Sequence, residues 1–179
     1  MQTFGEQVYS DVWGPARHLT INKKLYYISF IDNYSRESVI YLMNTKDQAF
    51  DKYKLYAAMM NRQRDVHIKT LVTDRGGEYT SSAFEKYLAE QGTKHKLTVH
   101  DTPKSNGIAK QLNRTLVERT RAMLLASNLP KNLWGYAILH ANYIARIQEL
   151  YRTKLCMRLF IRKNCRVISS YQLANLVGS

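Results

Sequence analysis

A chain of 179 residues, 45% hydrophobic and 23% charged, suffices for one folded domain with a real core and excludes a disordered polymer. Lysine and arginine outnumber aspartate and glutamate by 27 to 14, and the formal charge of +13 points to a polyanionic partner rather than to a merely solvated surface. No run approaches the ~18 apolar residues of a membrane-crossing helix, and Met1 to Gly5 is too short and polar for a signal peptide. Cys156 and Cys165 form neither a disulfide framework nor a CxxC pair. His18, His67, His95, His100 and His140 lack the spacing of a zinc site and read as structural. A reducing compartment, nucleus or cytoplasm, follows by default.

The first third predicts three strands. Val8 to Trp13 leads into the Gly14-Pro15 break, while Lys24 to Asp32 and Ser38 to Met43 are rich in Tyr, Ile, Phe and Val and joined by Asn33-Tyr34-Ser35. Such close spacing favours an antiparallel meander, because a parallel return needs a long crossover. Thr45 then caps a helix reaching Asn61, with Phe50, Tyr53, Leu55, Ala57 and Met60 on its apolar side. Val66 to Thr73 reads as a buried strand that delivers Asp74 to a Gly76-Gly77 turn. Ser81 or Ser82 caps a helix with Phe84, Tyr87 and Leu88, closed by Gly92. A short strand from Lys94 to Val99 precedes a loop containing Pro103 and Gly107. Two helices follow, Ile108 to Ser127 and one opened by Pro130 that runs to about Ile147. The order β-β-β-α-β-α-β-α-α predicts an α/β fold, one five-stranded mixed sheet with helices on its faces, which is the ribonuclease-H-like order. Residues 149–179, where Arg152, Lys154, Arg158, Arg162, Lys163 and Arg166 interrupt the apolar pattern, are expected to add a short helix and a packed loop to a core spanning 5–148.

Asp11 closes the first strand and Asp74 ends the fourth. In a mixed sheet of this order those strands can be neighbours, which would bring both carboxylates to one edge. Carboxylate oxygens are what hard divalent cations take as ligands. Metal-assisted phosphoryl transfer uses two such ions about 4 Å apart, so acids on adjacent strand ends and on a facing helix are the pattern to seek. Either aspartate alone reads equally as a turn residue.

Several pieces in order carry a resemblance: Ser10-Asp11-Val12-Trp13-Gly14-Pro15, Phe30-Ile31-Asp32-Asn33-Tyr34-Ser35-Arg36, Thr73-Asp74-Arg75-Gly76-Gly77-Glu78-Tyr79, Asn106-Gly107-Ile108-Ala109 and Leu112-Asn113-Arg114-Thr115. Together they resemble the catalytic core of copia-type retrotransposon integrases from about Gly5 to Ala145, with Leu129-Pro130 and Trp134 similar to the helix that follows. The resemblance implies DNA integration with Mg2+ or Mn2+, and two Asp plus one Glu as ligands. Asp11 and Asp74 match the aspartates. The family's spacing of 35 residues, here Arg75 to Ala109, puts the Glu at position 110, where this chain has Lys110, followed by Gln111. An ammonium repels a divalent cation and only donates hydrogen bonds, so weakened metal binding and impaired strand transfer are expected. Glu118 lies about 12 Å along the helix and Glu78 already belongs to the family motif, so neither replaces the lost acid.

Lys110, Arg114 and Arg121 fall on one side of the third helix, opposite a stripe of Ile108, Leu112, Leu116 and Met123. With Lys104 and Asn106 in the preceding loop, they are the expected contacts to nucleic acid, DNA or RNA. The resemblance also implies a homodimer through helix faces carrying Tyr53, Tyr56, Met59, Trp134, Tyr136 and Tyr143. Two other functions fit the same residues: a non-catalytic nucleic-acid-binding module, and a nuclease using Asp11 and Asp74 with one ion. A decayed element copy without a selected role fits as well.

Overall fold

A computed structural model describes residues 3–98, 107–149 and 151 of the chain. Residues 1–143 form one compact unit and 144–179 a second. Of the second, the described residues are 144–149, the end of a helix, and 151.

The first unit holds strands β1 (Val8–Trp13), β2 (Tyr26–Asp32), β3 (Ser38–Met43), β4 (Thr70–Thr73) and β5 (Lys94–Leu97). They lie in one sheet of order β3-β2-β1-β4-β5. The pairs β1–β2 and β2–β3 are antiparallel, and β1–β4 and β4–β5 are parallel. Helices α1 (Ala49–Arg64), α2 (Ser82–Glu90) and α3 (Gly107–Ala126) follow the predicted order, and a fourth, α4, occupies 134–149. The mixed five-stranded sheet is therefore as predicted.

Period-two alternation assigns the faces. Val8, Ile28, Phe30, Met43 and Leu71 pack against Ala49, Tyr53, Tyr56 and Met60 of α1 and Phe84 and Leu88 of α2. The Phe30 and Tyr56 rings stack at 4.6 Å and 8°. On the other face, Tyr9, Ile31 and Val72 pack against Ala109, with Ile108 and Leu112 beside it. Asp11 and Asp74 share the parity of Tyr9 and Val72, so both belong to the α3 face.

Several boundaries differ from the sequence reading. The second strand begins at Tyr26, since Lys24 N–H instead bonds Thr20 Oγ1 at 2.8 Å. Thr45 makes no capping bond: a 3-10 turn over Lys46–Gln48 intervenes, and α1 continues past Asn61 to Arg64, ending where Asp65 turns left-handed. Leu55, expected inside, is exposed, because the buried positions are Ala49, Tyr53, Tyr56 and Met60 at helical spacing. The fourth strand is only Thr70–Thr73. Upstream, Lys69 N–H to Gly5 O at 3.0 Å is an isolated bond and not a ladder. Ser81 caps α2 as expected, accepting from Phe84 N–H at 3.3 Å, and Gly92 closes the segment at φ +66°.

The stripe of α3 is also displaced by about one position. Its buried residues are Ala109, Asn113, Leu116 and Thr120. Two of the four are polar: Thr120 Oγ1 donates to Leu116 O at 2.7 Å, and Asn113 Nδ2 donates to Asp11. Within the first unit, α4 is held by Trp134 Nε1 donating to His18 O at 2.7 Å. Asn142 and Ser38 exchange bonds of 2.6 and 3.1 Å. Gly135 permits this approach, since a Cβ there would lie 2.7 Å from Thr20 Cγ2.

Candidate active site

β1 pairs with β4 at Val8↔Leu71 and Tyr9↔Val72. The same offset continued two residues sets Asp11 opposite Asp74, on strands whose usual spacing is about 4.8 Å. The two carboxylates predicted from the sequence thus lie side by side on the α3 face, just where parallel pairing ends. The Asp74 Oδ1 accepts from Gly76 N–H at 3.1 Å, so the turn that follows the strand also orients the acid.

Asp11 is held from α3. Asn113 Nδ2 donates to its Oδ2 at 2.9 Å, and Asn113 itself is only 4% exposed. Burial and the neighbouring Asp74 charge raise the Asp11 carboxyl from 3.8 to about 6. The Asn113 bond, the Lys110 charge and the Val12 backbone act in the opposite direction but do not cancel the rise. Below that value the pair resembles other close carboxylates, in which one member retains a proton.

Lys110 stands on the first turn of α3 and is exposed. Its charge acts on Asp11, although it makes no ion pair within 4.0 Å with a described residue. Arg114 and Arg121 are exposed on the same side, and Arg114 Nε donates to Glu118 Oε1 at 2.9 Å. Glu118 is thereby engaged along the helix. Glu78 folds over Gly76, where a Cβ would lie 2.8 Å from its Cδ, and it pairs with Lys46 Nζ at 3.7 Å. Among the described residues no group of three His, Cys, Asp or Glu is placed to hold a metal ion. Lys104 and Asn106 lie outside the described residues.

Asn113 is the candidate site residue that sequence reasoning left without a role. No signal in the sequence marked it, because the apolar stripe of the helix reads as Ile108, Leu112, Leu116 and Met123 and leaves Asn113 outside; once buried, its amide needs a partner. Its Nδ2 finds one in Asp11, whereas its Oδ1 is buried with none among the described residues. Next to the acids on the same face, Trp13 stacks on Tyr27 at 5.3 Å and meets the Trp134 edge at 5.9 Å. Ser10, on the opposite face, bonds the buried Tyr79 hydroxyl at 2.8 Å and anchors the Asp74 loop beneath β1.

A mixed sheet of this order, with helices on its faces, is the ribonuclease-H-like arrangement. The integrase core domain family matches residues 5–103, and the chain belongs to that family. It is 42% identical over 137 residues to the retrovirus-related Pol polyprotein from transposon TNT 1-94 of Nicotiana tabacum, covering 76% of this chain and 10% of that protein. It is 31% identical to the Pol polyprotein from transposon RE2 of Arabidopsis thaliana, covering 78% and 9%. It is also 30% identical to the truncated transposon Ty1-A Gag-Pol polyprotein of Saccharomyces cerevisiae, covering 74% and 11%. These relatives make it a copia-type retrotransposon integrase core. The chain spans about a tenth of the length of the curated relatives it matches.

Among solved structures, it resembles the simian T-cell lymphotropic virus intasome in complex with PP2A regulatory subunit B56 gamma. The TM-score is 0.61 at 17% identity, over 78% of this chain and 47% of that one. It also resembles the HTLV-2 integrase catalytic core domain in complex with magnesium in its trimeric form, with TM-score 0.56 at 16% identity over 78% and 83%. Both show the fold. Among the described residues, no helix is long and apolar enough to cross a membrane.

Proposed function

We propose that this chain is an integrase core, spanning 5–148 with 149–179 as an extension, whose metal-dependent phosphoryl transfer is impaired because Lys110 stands where the family has its third carboxylate. What carries the reading is the position of Lys110: first turn of α3, acting electrostatically on Asp11, with no third acid grouped with the two aspartates among the described residues. Asp11 and Asp74 suit one Mg2+ or Mn2+, since such ions use one or two carboxylates and otherwise keep water. When bound, the ion would polarise a phosphoryl oxygen or activate the attacking one. The chain's own contribution is to hold two acceptor groups in register, through the β1–β4 pairing, the Asn113 bond and the Gly76 amide.

Calorimetry with manganese on wild type, Lys110→Glu and Lys110→Gln tests the assignment. Lys110→Glu is expected to bind manganese at least ten-fold more tightly than wild type, with Lys110→Gln between them. Equal affinity in wild type and Lys110→Glu means that position 110 is not the lost ligand.

The net charge of +13 and the exposed Lys110, Arg114 and Arg121 support binding to DNA or RNA, with Lys104 and Asn106 as further proposed contacts. In fluorescence anisotropy over a salt series, affinity for duplex DNA should fall steeply with salt and show little sequence preference. A flat salt response refutes phosphate binding. A second reading, a one-ion nuclease, draws on the side-by-side aspartates. Cleavage of plasmid or RNA by wild type in manganese would favour it, and abolition by Asp74→Asn would confirm the site. The proposed setting is the nucleus or cytoplasm.

A further inference from the structure

On the sheet face opposite the two aspartates, three side chains from three elements join in a line. His95 on β5, with its side chain 6% exposed, places Nδ1 2.6 Å from Glu85 Oε1 on α2. Its Nε2 lies 2.9 Å from Thr73 Oγ1 at the end of β4. Thr73 Oγ1 lies in turn 2.9 Å from the carbonyl oxygen of Asp74. The order hydroxyl, imidazole, carboxylate is that of a nucleophilic triad. Thr73 is fully buried, however, so no substrate reaches the hydroxyl and that role is excluded.

Counting hydrogens shows what the line does instead. A carboxylate only accepts, so the hydrogen between Glu85 and His95 belongs to Nδ1. With a neutral ring, Nε2 is then a bare lone pair, and the Thr73 hydroxyl must donate to it. Threonine has one hydroxyl hydrogen, so the Asp74 carbonyl receives none. With an imidazolium, Nε2–H donates to Oγ1, and the hydroxyl hydrogen is free for the Asp74 carbonyl. The three contacts observed together are all satisfied only in this protonated state.

We propose that Glu85, His95 and Thr73 form a proton-operated latch, in which protonation of His95 turns the Thr73 hydroxyl onto the backbone carbonyl of Asp74. The latch secures the strand end that presents Asp74, and its bearing on metal binding rests on the role assigned to Asp74 above. His95 acts here as a positioning residue. Among the described residues, the groups facing the ring come from α2 and β4. Glu85 and the Phe84 ring, centroids 6.2 Å apart, come from α2. From β4 come Thr73 and the Asp74 carbonyl. Lys94 and Lys96 on its own strand are exposed and alternate to the other face. The Asp74 carboxylate belongs to the α3 face.

NMR on isotope-labelled protein over a pH series tests this without any metal. The neutral His95 ring should carry its hydrogen on Nδ1, the rarer form in water. The carbonyl carbon of Asp74 should show a step at the His95 midpoint. Thr73→Val, close to isosteric, should keep the His95 titration but lose that step, while Thr73→Ser retains it. Glu85→Gln, at a half-exposed site, should abolish the Nδ1 preference, because an amide both donates and accepts. A neutral ring protonated on Nε2 in wild type, no step in wild type, or a step that survives in Thr73→Val overturns the latch. Failure of the metal assignment would appear separately, as equal manganese affinity in wild type and Lys110→Glu with the steps intact.

Discussion

The raised Asp11 carboxyl makes an unusual prediction about stability. Most native carboxylates are depressed and stabilise proteins as pH rises, but Asp11 is raised from 3.8 to about 6, first by burial and then by Asp74. The folded state therefore holds this proton more tightly than the unfolded chain. The resulting stability is fully present below the unfolded value of 3.8 and is lost as pH rises through about 6. At 1.36 kcal/mol per unit, the loss across that window is about 3 kcal/mol. Asp11→Asn keeps the shape, and its amide oxygen can still accept from Asn113 Nδ2, but it has no proton to lose. Urea unfolding with EDTA present, followed by circular dichroism at a series of pH values, compares the two proteins. Near pH 4 they should agree within about 1 kcal/mol, and above about pH 7 the variant should be more stable by about 2–3 kcal/mol. Titrating groups that do not interact with Asp11 cancel in the difference. A difference independent of pH would show that Asp11 is an ordinary carboxylate and that the site carries no electrostatic strain.

Asn113→Ala removes the bond that favours the charged form of Asp11. The Asp11 carboxyl, read by carbon NMR, should move up from about 6, and stability should fall by about 1–3 kcal/mol. An unchanged Asp11 titration would mean that the 2.9 Å contact is not made in solution. The dimer expectation narrows as well. Tyr53, Tyr56 and Trp134 are buried core residues and unavailable for pairing, whereas Tyr136 and Tyr143 are 55% and 58% exposed on α4. If the core dimerises through that face, Tyr136→Ser with Tyr143→Ser should give monomer in light scattering at concentrations where wild type is dimeric. A wild type that stays monomeric at high micromolar concentration counts against pairing.

The order of elements was legible because each rests on local chemistry: β-branched and aromatic runs, the Asn33-Tyr34-Ser35 turn, the Ser81 cap and Gly92. The adjacency of Asp11 and Asp74 was legible from topology. What the sequence concealed depends on partners distant in the chain. Leu55 looks like a core residue until Tyr53 and Tyr56 occupy the sheet-facing side of α1. Val66 to Lys69 has strand composition, but its bonds go singly to Gly5, Met60, Thr93 and Lys94, so the strand is confined to Thr70–Thr73. Asn113 looks like an outward-facing polar residue, yet it is inside because Asp11 on another element satisfies its amide. His95 was read as structural, and its contacts to Glu85 and Thr73 required α2, β4 and β5 to converge.

The balance of charge at Asp11 bears on how far a lysine can replace a divalent ion. Two carboxylates in register on adjacent strands repel each other, and burial makes that repulsion more costly than it would be in water. Three features oppose it: the Asn113 bond, the Lys110 charge and the Val12 backbone. Even with all three, Asp11 remains raised to about 6. One exposed ammonium without a direct ion pair is therefore incomplete compensation, and the pair still favours additional positive charge. That residual demand is why metal binding by the wild type is expected to be weakened and not abolished. It is also why Lys110→Gln, which removes the repelling charge without adding an acid, should already bind manganese better than wild type. Such a gain would separate repulsion by the ammonium from absence of a carboxylate at position 110 as causes of the proposed impairment.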